Sequence, residues 1–261
     1  MKITGITATW LHVPIPPERQ HASDYGLSSS FDTALVRVDT DAGITGWGEA
    51  RGALPAQCNC AGVCAVIENE FAPLLAGEDP RDISRLWEVM YNTDRAHFAL
   101  ARGHAFPNLG RRGVNVQALS GIDIALWDIK AKSLGVPVWQ LLGGKRQGKM
   151  LCYASGGWAP ADSIAEQLKA FLAKGGYRAV KMRVGSGDGT LAHSVERVKR
   201  AREALGPDID IMCDVHGTWT VGEAKRFCRQ VEDCNIGWLE EPVSPDDKAG
   251  MAEVRAYTDI P

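Results

Sequence analysis

Four short apolar runs recur about 30 residues apart in the second half of the chain, and this spacing constrains the fold more than any other feature. The runs cover Met150 to Ser155, Arg178 to Val184, Ile209 to Val215 and Ile236 to Glu241. Each interval leaves room for one amphipathic helix and two short loops, which is what a crossover between parallel strands requires. The pattern therefore predicts successive βα units around a parallel sheet.

The first half of the chain has a different pattern. Residues Ala34 to Asp39 and Ile44 to Glu49 alternate like strands, and Asp41-Ala42-Gly43 between them favours a hairpin turn. Apolar residues then recur at helical spacing from Ile83 to Met90 and from Ile122 to Ile129. The sequence predicts an α+β domain over residues 1–125, followed by a barrel portion over residues 126–261.

The length of the second half limits how the βα units can close. A (β/α)8 barrel needs roughly 250 residues, and fewer than half of that number follow Gly144. An open doubly wound sheet is the alternative, but the segment Gly185 to Gly189 lacks the full glycine fingerprint of a nucleotide site. We predict an α+β domain followed by a (β/α)8-type, TIM-like barrel of which about the first half is present: strands one to four and the start of five. On this interpretation the chain is truncated at its C-terminus.

Composition excludes several classes of function. The chain has 45% hydrophobic residues, 23% charged residues and a formal net charge of −3, and it carries no long Lys/Arg run, so we expect no nucleic-acid partner. Residues 1–10 alternate like a strand and lack the apolar stretch of a signal peptide or a membrane span, so no membrane association is expected. Seven cysteines, an odd number, fit a reducing compartment, which favours a cytoplasmic location.

Charged and polar residues end three of the four apolar runs, as Lys181-Met182-Arg183, Asp214-Val215-His216 and Glu240-Glu241-Pro242. Catalytic groups in parallel barrels cluster at the C-terminal ends of the strands. A spacing of two residues places Lys181 with Arg183 on one face of a strand, and Asp214 with His216 on one face of the next. These strand ends are therefore the predicted site.

Asp214 and Glu240 are separated by about one βα unit, so both carboxylates are expected in the same mouth. Hard oxygen ligands of this kind suit Mg2+. The alternative is structural: each carboxylate caps the helix that follows it, or pairs with Lys181 or Arg183.

Several strings in this order resemble one enzyme family. They are Thr33 to Val38 with Gly46 to Ala50, Ala118 to Lys132, Lys181 to Arg183, Asp214 to Gly217, and Trp238 to Pro242. Together they look like the mandelate racemase and muconate lactonising group of the enolase superfamily, and they span nearly the whole chain. Their pattern is closest to the galactonate-type sugar-acid dehydratases.

This resemblance implies a shared chemistry, in which a base removes the proton alpha to the carboxylate of a small-molecule substrate and Mg2+ stabilises the resulting enediolate. It implies that carboxylates at the ends of strands three, four and five hold the metal, and Asp214 and Glu240 match the first two. The third ligand and a His/Asp dyad would follow Pro261. Family members are commonly homo-oligomers, so we expect the full-length protein to be one.

The family's Lys-x-Lys pattern is altered here. Lys181 matches the lysine that faces the substrate carboxylate, but Arg183 occupies the place of the base. Arginine stays protonated at nearly any working pH, so racemisation by two opposed bases is disfavoured. Arg183 fits better as a donor to the substrate, and its structural alternative is an ion pair with Asp214 or Glu240.

Asp214-Val215-His216 resembles the Asp-x-His pattern of galactonate-type dehydratases. A histidine at the position of His216 can protonate a departing beta-hydroxyl as general acid. Its structural alternative is a histidine that only orients Asp214. The sequence thus favours a Mg2+-dependent dehydratase of an aldonate or aldarate. A racemase, epimerase or cycloisomerase of the same superfamily, a Schiff-base enzyme using Lys181, and a non-catalytic fragment with exposed strand edges are the alternatives.

Residues Pro14 to Ser30 are rich in polar and turn-forming types and resemble the capping-domain loop that closes over substrate in this family. His21 and Tyr25 in this loop are therefore predicted to bind substrate. The alternative is an ordinary surface loop.

Overall fold

The computed structural model describes residues 1–23, 26–52, 59–92, 112–145 and 148–261. These residues form two compact units, Met1–Gly148 and Lys149–Pro261. None of the helices in the described ranges is both long enough and apolar enough to cross a membrane.

The first unit combines an antiparallel sheet with helices. Its strands are β1 Ile3–Pro14, β2 His21–Ser23, β3 Gly26–Ser28, β4 Ser30–Thr40 and β5 Thr45–Ala50, and its helices are α1 Ala61–Val66, α2 Ala72–Leu75, α3 Ile83–Asn92, α4 Val114–Leu134 and α5 Val138–Leu141, with a 3-10 turn at Pro17–Arg19 and a π-helical turn at Ile67–Phe71. The predicted hairpin is present as β4 and β5, in a three-stranded sheet of order β1-β4-β5. The fold class of this unit is therefore α+β, as predicted.

Helix α4 packs directly on strand β5, because two glycines allow the backbones to approach. A Cβ at Gly48 would lie 1.9 Å from the carbonyl oxygen of Gly121, and a Cβ at Gly46 would lie 2.2 Å from that of Ala125. The Asp128 carboxylate also accepts a hydrogen bond of 2.9 Å from the backbone N–H of Trp47. The predicted domain boundary at residue 125 falls inside this helix, whereas the compact first unit continues to Gly148.

The second unit consists of βα repeats. Its strands are β6 Ala154–Gly156, β7 Ala179–Arg183, β8 Asp210–Asp214 and β9 Ile236–Glu240, and its helices are α6 Ile164–Gly175, α7 Leu191–Leu205, α8 Val221–Gln230 and α9 Lys248–Tyr257, with 3-10 turns at Ser186–Asp188 and Glu232–Cys234. The four strands are parallel and follow chain order in one sheet. This is the arrangement of the first part of a β/α barrel and confirms the predicted architecture.

Local sequence explains why each βα unit forms. The strands bury alternate or continuous apolar side chains such as Met182 and Ile211, as parallel strands covered on both faces do. Helix α8 begins with a capping box, in which Thr220 accepts from the backbone N–H of Glu223 and the Glu223 carboxylate accepts from that of Thr220. Phe227 on this helix is completely buried and anchors it in the core.

Strand β6 is shorter than its apolar run predicts. Met150 and Leu151 are largely exposed, and the strand begins only at Ala154. Within the described part of the chain, β6 pairs with β7 alone and forms the edge of the sheet. The apolar run therefore predicted the presence of this strand correctly. It did not predict the length of the strand, because that length depends on pairing with a neighbouring strand.

Candidate functional site

The ends of β7, β8 and β9 bring the predicted polar residues onto one face. Arg183 is paired in register with Asp214, and Asp214 with Glu240. Residues paired across a sheet share a face, and so do residues two apart along a strand, which adds Lys181 to this set. Parallel pairing thus gathers two cations and two carboxylates at one point.

Lys181 connects the two carboxylates. Its Nζ lies 2.8 Å from Oε1 and 2.8 Å from Oε2 of Glu240, and 3.1 Å from Oδ2 of Asp214. The Lys181 side chain is only 12% exposed, so these contacts are shielded from bulk water. One ammonium group within reach of both carboxylates shows that the two lie close enough to share a single cation.

Asp214 is the most buried member of the cluster, with a side chain 9% exposed. Arg183 donates from Nη1 to its Oδ1 at 2.7 Å, and the backbone N–H of His216 donates to the same oxygen at 3.1 Å. Two structural alternatives were considered from the sequence: that the carboxylates pair with Lys181 or Arg183, and that Arg183 forms an ion pair with Asp214 or Glu240. Both kinds of pair are present. Such pairs keep buried charges compensated and do not exclude a further role.

The charges of Lys181 and Glu240 are mutually stabilised. Burial by itself would lower the pKa of Lys181, but the hydrogen bonds that its ammonium donates to Glu240 and Asp214 outweigh burial and raise that pKa above its ordinary value. Burial would likewise raise the pKa of Glu240, and the hydrogen bonds from Lys181 and Trp238 instead lower it. A lysine held protonated in this way is unsuited to attack a carbonyl, which argues against the Schiff-base alternative.

The backbone is strained just after two of the strand ends. His216 has a φ of 61° and Glu241 a φ of 45°, in the left-handed region that side-chain-bearing residues rarely occupy. The loop is held there because Gly217 N–H donates to the carbonyl of Glu241 at 2.8 Å. Strain of this kind persists only where the surroundings enforce it, and it is commonly found at functional sites.

Three aromatic residues surround the cluster, and sequence reasoning did not identify them. The Lys181 ammonium lies 6.0 Å from the ring centroid of Tyr153, and the Arg183 guanidinium carbon lies 4.9 Å from that of Trp158. Trp238 donates from Nε1 to Glu240 at 3.1 Å and meets the Tyr153 ring edge-to-face. Trp158 follows the first apolar run and Trp238 lies two residues before Glu240, so nearness to a predicted strand end was the available signal for these two; Tyr153 directly precedes β6.

The donor set of Asp214 and Glu240 fits Mg2+. Two adjacent carboxylates supply hard oxygen ligands, and Mg2+ commonly takes one or two carboxylates and completes its shell with water and substrate oxygens. Across the described ranges, no group of three or more His, Cys, Asp or Glu side chains is placed to hold a metal ion.

Two residues of the first unit, His21 and Tyr25, were predicted to bind substrate. His21 begins strand β2, and its backbone pairs with Ser28. Tyr25 lies outside the described residues. Their predicted contact with substrate stays a prediction.

Two family models match the chain. The model described as mandelate racemase / muconate lactonizing enzyme, N-terminal domain, matches residues 8–143, and the model described as enolase C-terminal domain-like matches residues 163–261. The two matches follow the order of the two units.

Individual relatives agree with these models and differ in chemistry. A D-galactarolactone cycloisomerase of Agrobacterium fabrum is 34% identical, and the match covers 93% of this chain and 62% of that enzyme. A D-galactonate dehydratase of Ralstonia pickettii is 36% identical, with 87% of this chain and 56% of that enzyme covered. A racemase of Streptomyces coelicolor A3(2), solved with bound magnesium, superposes with a TM-score of 0.82 at 30% identity, over 99% of this chain and 67% of that one. The chain thus spans 56% to 62% of the length of these two curated relatives, and it belongs, as the sequence predicted, to the mandelate racemase and muconate lactonizing enzyme family of the enolase superfamily.

Proposed function

We propose that this chain forms part of a Mg2+-dependent hydro-lyase that dehydrates an acid sugar, an aldonate or an aldarate. The observation that carries the proposal is the cluster at the ends of β7 and β8, where Arg183 replaces a potential base and His216 follows Asp214 by two residues. A fixed cation disfavours two-base racemisation, and a histidine beside the metal-binding carboxylate suits loss of a hydroxyl group.

Asp214 and Glu240 would hold the metal. Mg2+ bound there supplies electrostatic stabilisation of the negative charge that develops when a substrate loses the proton alpha to its carboxylate. The family's dependence on this metal is supported by the magnesium-bound racemase structure.

The cations of the cluster bind and orient the substrate. Lys181, protonated because two carboxylates surround it, attracts the substrate carboxylate, and Arg183 donates hydrogen bonds to that carboxylate or to a hydroxyl. An arginine guanidinium is too weak a base to take the α proton, and Lys181 is assigned to the substrate carboxylate. Abstraction therefore falls to a base other than these two residues.

His216 delivers a proton to the departing beta-hydroxyl. Histidine is the side chain that most often acts as a general acid near neutral pH, which is the role that a departing hydroxyl requires. Loss of water from the carbanion gives a 2-keto-3-deoxy acid after tautomerisation.

The second candidate is racemisation, epimerisation or cycloisomerisation on the same scaffold. It is favoured by the identity to the D-galactarolactone cycloisomerase, 34%, which is close to the 36% identity to the D-galactonate dehydratase. These reactions share α-proton abstraction and differ in whether water is lost.

The deciding experiment incubates the full-length enzyme with Mg2+ in D2O and a panel of aldonic and aldaric acids. We expect a 2-keto-3-deoxy product, detected as its semicarbazone and by mass spectrometry, and loss of turnover with EDTA. Solvent deuterium at the α carbon without loss of water would instead assign the second candidate. Asp214→Asn should abolish turnover, whereas Glu253→Gln, which alters an exposed carboxylate on α9, should not.

A further inference from the structure

Arg197 is a buried arginine of helix α7, only 4% exposed, that the proposed reaction does not use. Its guanidinium donates to the Asp188 carboxylate at 2.6 Å. It also donates to three backbone carbonyls: those of Gly157 at 2.7 Å, Ala159 at 2.9 Å and Arg183 at 2.7 Å. All its hydrogen-bonding nitrogens are thus engaged by a counter-ion and by two loops.

The three carbonyls share one feature. Gly157 and Ala159 flank Trp158 in the loop after β6, and the third carbonyl belongs to Arg183 at the end of β7. The side chains of Trp158 and Arg183 stack on each other, with the Arg183 guanidinium carbon 4.9 Å from the Trp158 ring centroid. Arg197 therefore holds the backbone on both sides of the Trp158–Arg183 contact.

The counter-ion of Arg197 is itself fixed. Asp188 accepts a second hydrogen bond from Ser194 Oγ at 2.5 Å, so its carboxylate is oriented from helix α7 as well. A planar guanidinium with five donors in a rigid fork can impose one geometry on several acceptors, which a lysine ammonium cannot do. The fork thus adds to the hydrogen bond of 3.2 Å that the backbone N–H of Arg183 donates to the carbonyl of Gly157, and together they hold the β6 loop on β7.

A second arginine of the same helix provides a natural comparison. Arg202 donates to the carbonyls of Gly206, Ile209, Cys234 and Asn235, which precede strands β8 and β9. It makes the same kind of contacts as Arg197 but at the opposite ends of the strands, away from the cluster. A purely structural role would make the two arginines equivalent.

We propose that Arg197 is a positioning residue that sets the Trp158–Arg183 stack and thereby the place of the Arg183 guanidinium beside Asp214. The inference rests on the proposed function for its catalytic consequence, because Arg183 is there the donor that orients substrate. The stack itself is testable without any turnover.

The first test labels the full-length protein with 5-fluorotryptophan and follows the fluorine resonance of Trp158, identified as the resonance that Trp158→Phe removes. Arg183→Met should shift this resonance, because the cation leaves the ring. Arg197→Lys should shift the same resonance, and Arg202→Lys should leave it at the wild-type position. If Arg197→Lys leaves the resonance unchanged, or Arg202→Lys shifts it equally, the inference is overturned.

The second test measures kcat and melting temperature of the same variants on a substrate found by the panel. Arg197→Lys should lower kcat on the order of 10- to 100-fold through misplacement of Arg183, while Arg202→Lys, with a comparable loss of melting temperature, should change kcat less than about twofold. Equal losses of kcat would reduce Arg197 to a structural residue. If the panel yields no product, the proposed function fails, and the fluorine resonances still decide whether Arg197 sets the stack.

Discussion

The ammonium of Lys181 lies 2.8 Å from each carboxylate oxygen of Glu240, on the strand two places away in the sheet. The same nitrogen lies 3.1 Å from Asp214 on the strand between them. Any metal ion held by the two carboxylates must therefore share the oxygens of Glu240 with Lys181. The lysine limits the repulsion between the carboxylates, and it also competes for the ligands of the metal.

Replacing Lys181 by Met tests this competition. In EDTA the variant should melt at a lower temperature than the wild type, with a loss of about 2 kcal/mol in the free energy of unfolding, because the buried Asp214 and the partly exposed Glu240 lose their shared counter-ion. Added Mg2+ should raise the melting temperature of Lys181→Met by more than it raises that of the wild type. Calorimetry of the full-length protein with and without Mg2+ measures both effects.

The matched control is Lys225→Met, which removes a lysine that pairs with Glu253 at 2.6 Å in the same unit. Its melting temperature should respond to Mg2+ as the wild type does. An equal Mg2+ response in Lys181→Met and the wild type would contradict the competition.

Arg183 is predicted to bind substrate and not to remove its proton. Arg183→Met should lower kcat/KM on the order of 10- to 100-fold, since a charge-assisted hydrogen bond is lost. Exchange of the α proton with solvent should persist at a reduced rate, which proton NMR in D2O would detect. The control is Arg200→Met, which removes an exposed arginine that pairs with Glu196 and should behave like the wild type. Complete loss of exchange in Arg183→Met alone would instead assign Arg183 to proton transfer.

The strand ends were predictable because one rule fixes them. A spacing of about 30 residues specifies parallel neighbours, and parallel neighbours bring their C-terminal ends together, so Asp214 and Glu240 could be paired from the sequence alone. Arg197 could not be found in this way. Arg197 lies on an amphipathic helix where an arginine ordinarily faces solvent, and only the folded loops show that backbone carbonyls surround it.

The extent of the first unit was not predictable for a similar reason. Apolar periodicity predicted a helix over Ile122 to Ile129, but periodicity does not say which sheet the helix packs on. The close approach of Gly48 to Gly121 assigns the whole helix to the first sheet. A glycine in a strand can indicate a close backbone approach, and that signal was present in Gly46 to Ala50.

His216 can be tested without disturbing its backbone. Asparagine tolerates a positive φ better than most residues, so His216→Asn should keep the loop at a φ near 61° and a melting temperature close to the wild type. If His216 is the acid that protonates the leaving hydroxyl, dehydration should fall on the order of 100- to 10,000-fold. Exchange of the α proton should continue, because abstraction precedes loss of water.

The control for His216 is His193→Asn, which alters a histidine bonded to the carbonyl of Asp188 on the surface of the same unit. Dehydration should stay at the wild-type rate in that variant. Parallel loss of exchange and dehydration in His216→Asn would show that the residue acts before water leaves, and would remove it from the role of leaving-group acid.

Asp32 gives the first unit a stability that depends on pH. Its carboxylate, in a side chain only 1% exposed, accepts from Trp10 Nε1 at 2.6 Å, from Ser30 Oγ, and contacts His12 Nδ1 at 2.8 Å. Burial alone would raise the pKa of Asp32, but the hydrogen bonds from Ser30, His12 and Trp10 outweigh it and lower that pKa. A carboxyl whose pKa is lower in the folded than in the unfolded chain stabilises the fold above the unfolded pKa of about 3.9, and this contribution is lost as the pH falls through the folded value.

Asp32→Asn should therefore cost about 1 to 3 kcal/mol of unfolding free energy at neutral pH, because donors placed for a carboxylate lose their acceptor. The difference from the wild type should stay constant down to about pH 4 and shrink below it, as protonation of Asp32 removes the same charge in the wild type. Urea unfolding followed by circular dichroism between pH 3 and pH 7 measures this difference. Asp39→Asn on the same strand, whose carboxylate is 34% exposed and pairs with Arg37, should cost less than about 1 kcal/mol. A difference for Asp32→Asn that instead grows as the pH falls below 4 would mean that the buried carboxyl is stabilised in its protonated form, and the direction assigned to its pKa would be wrong.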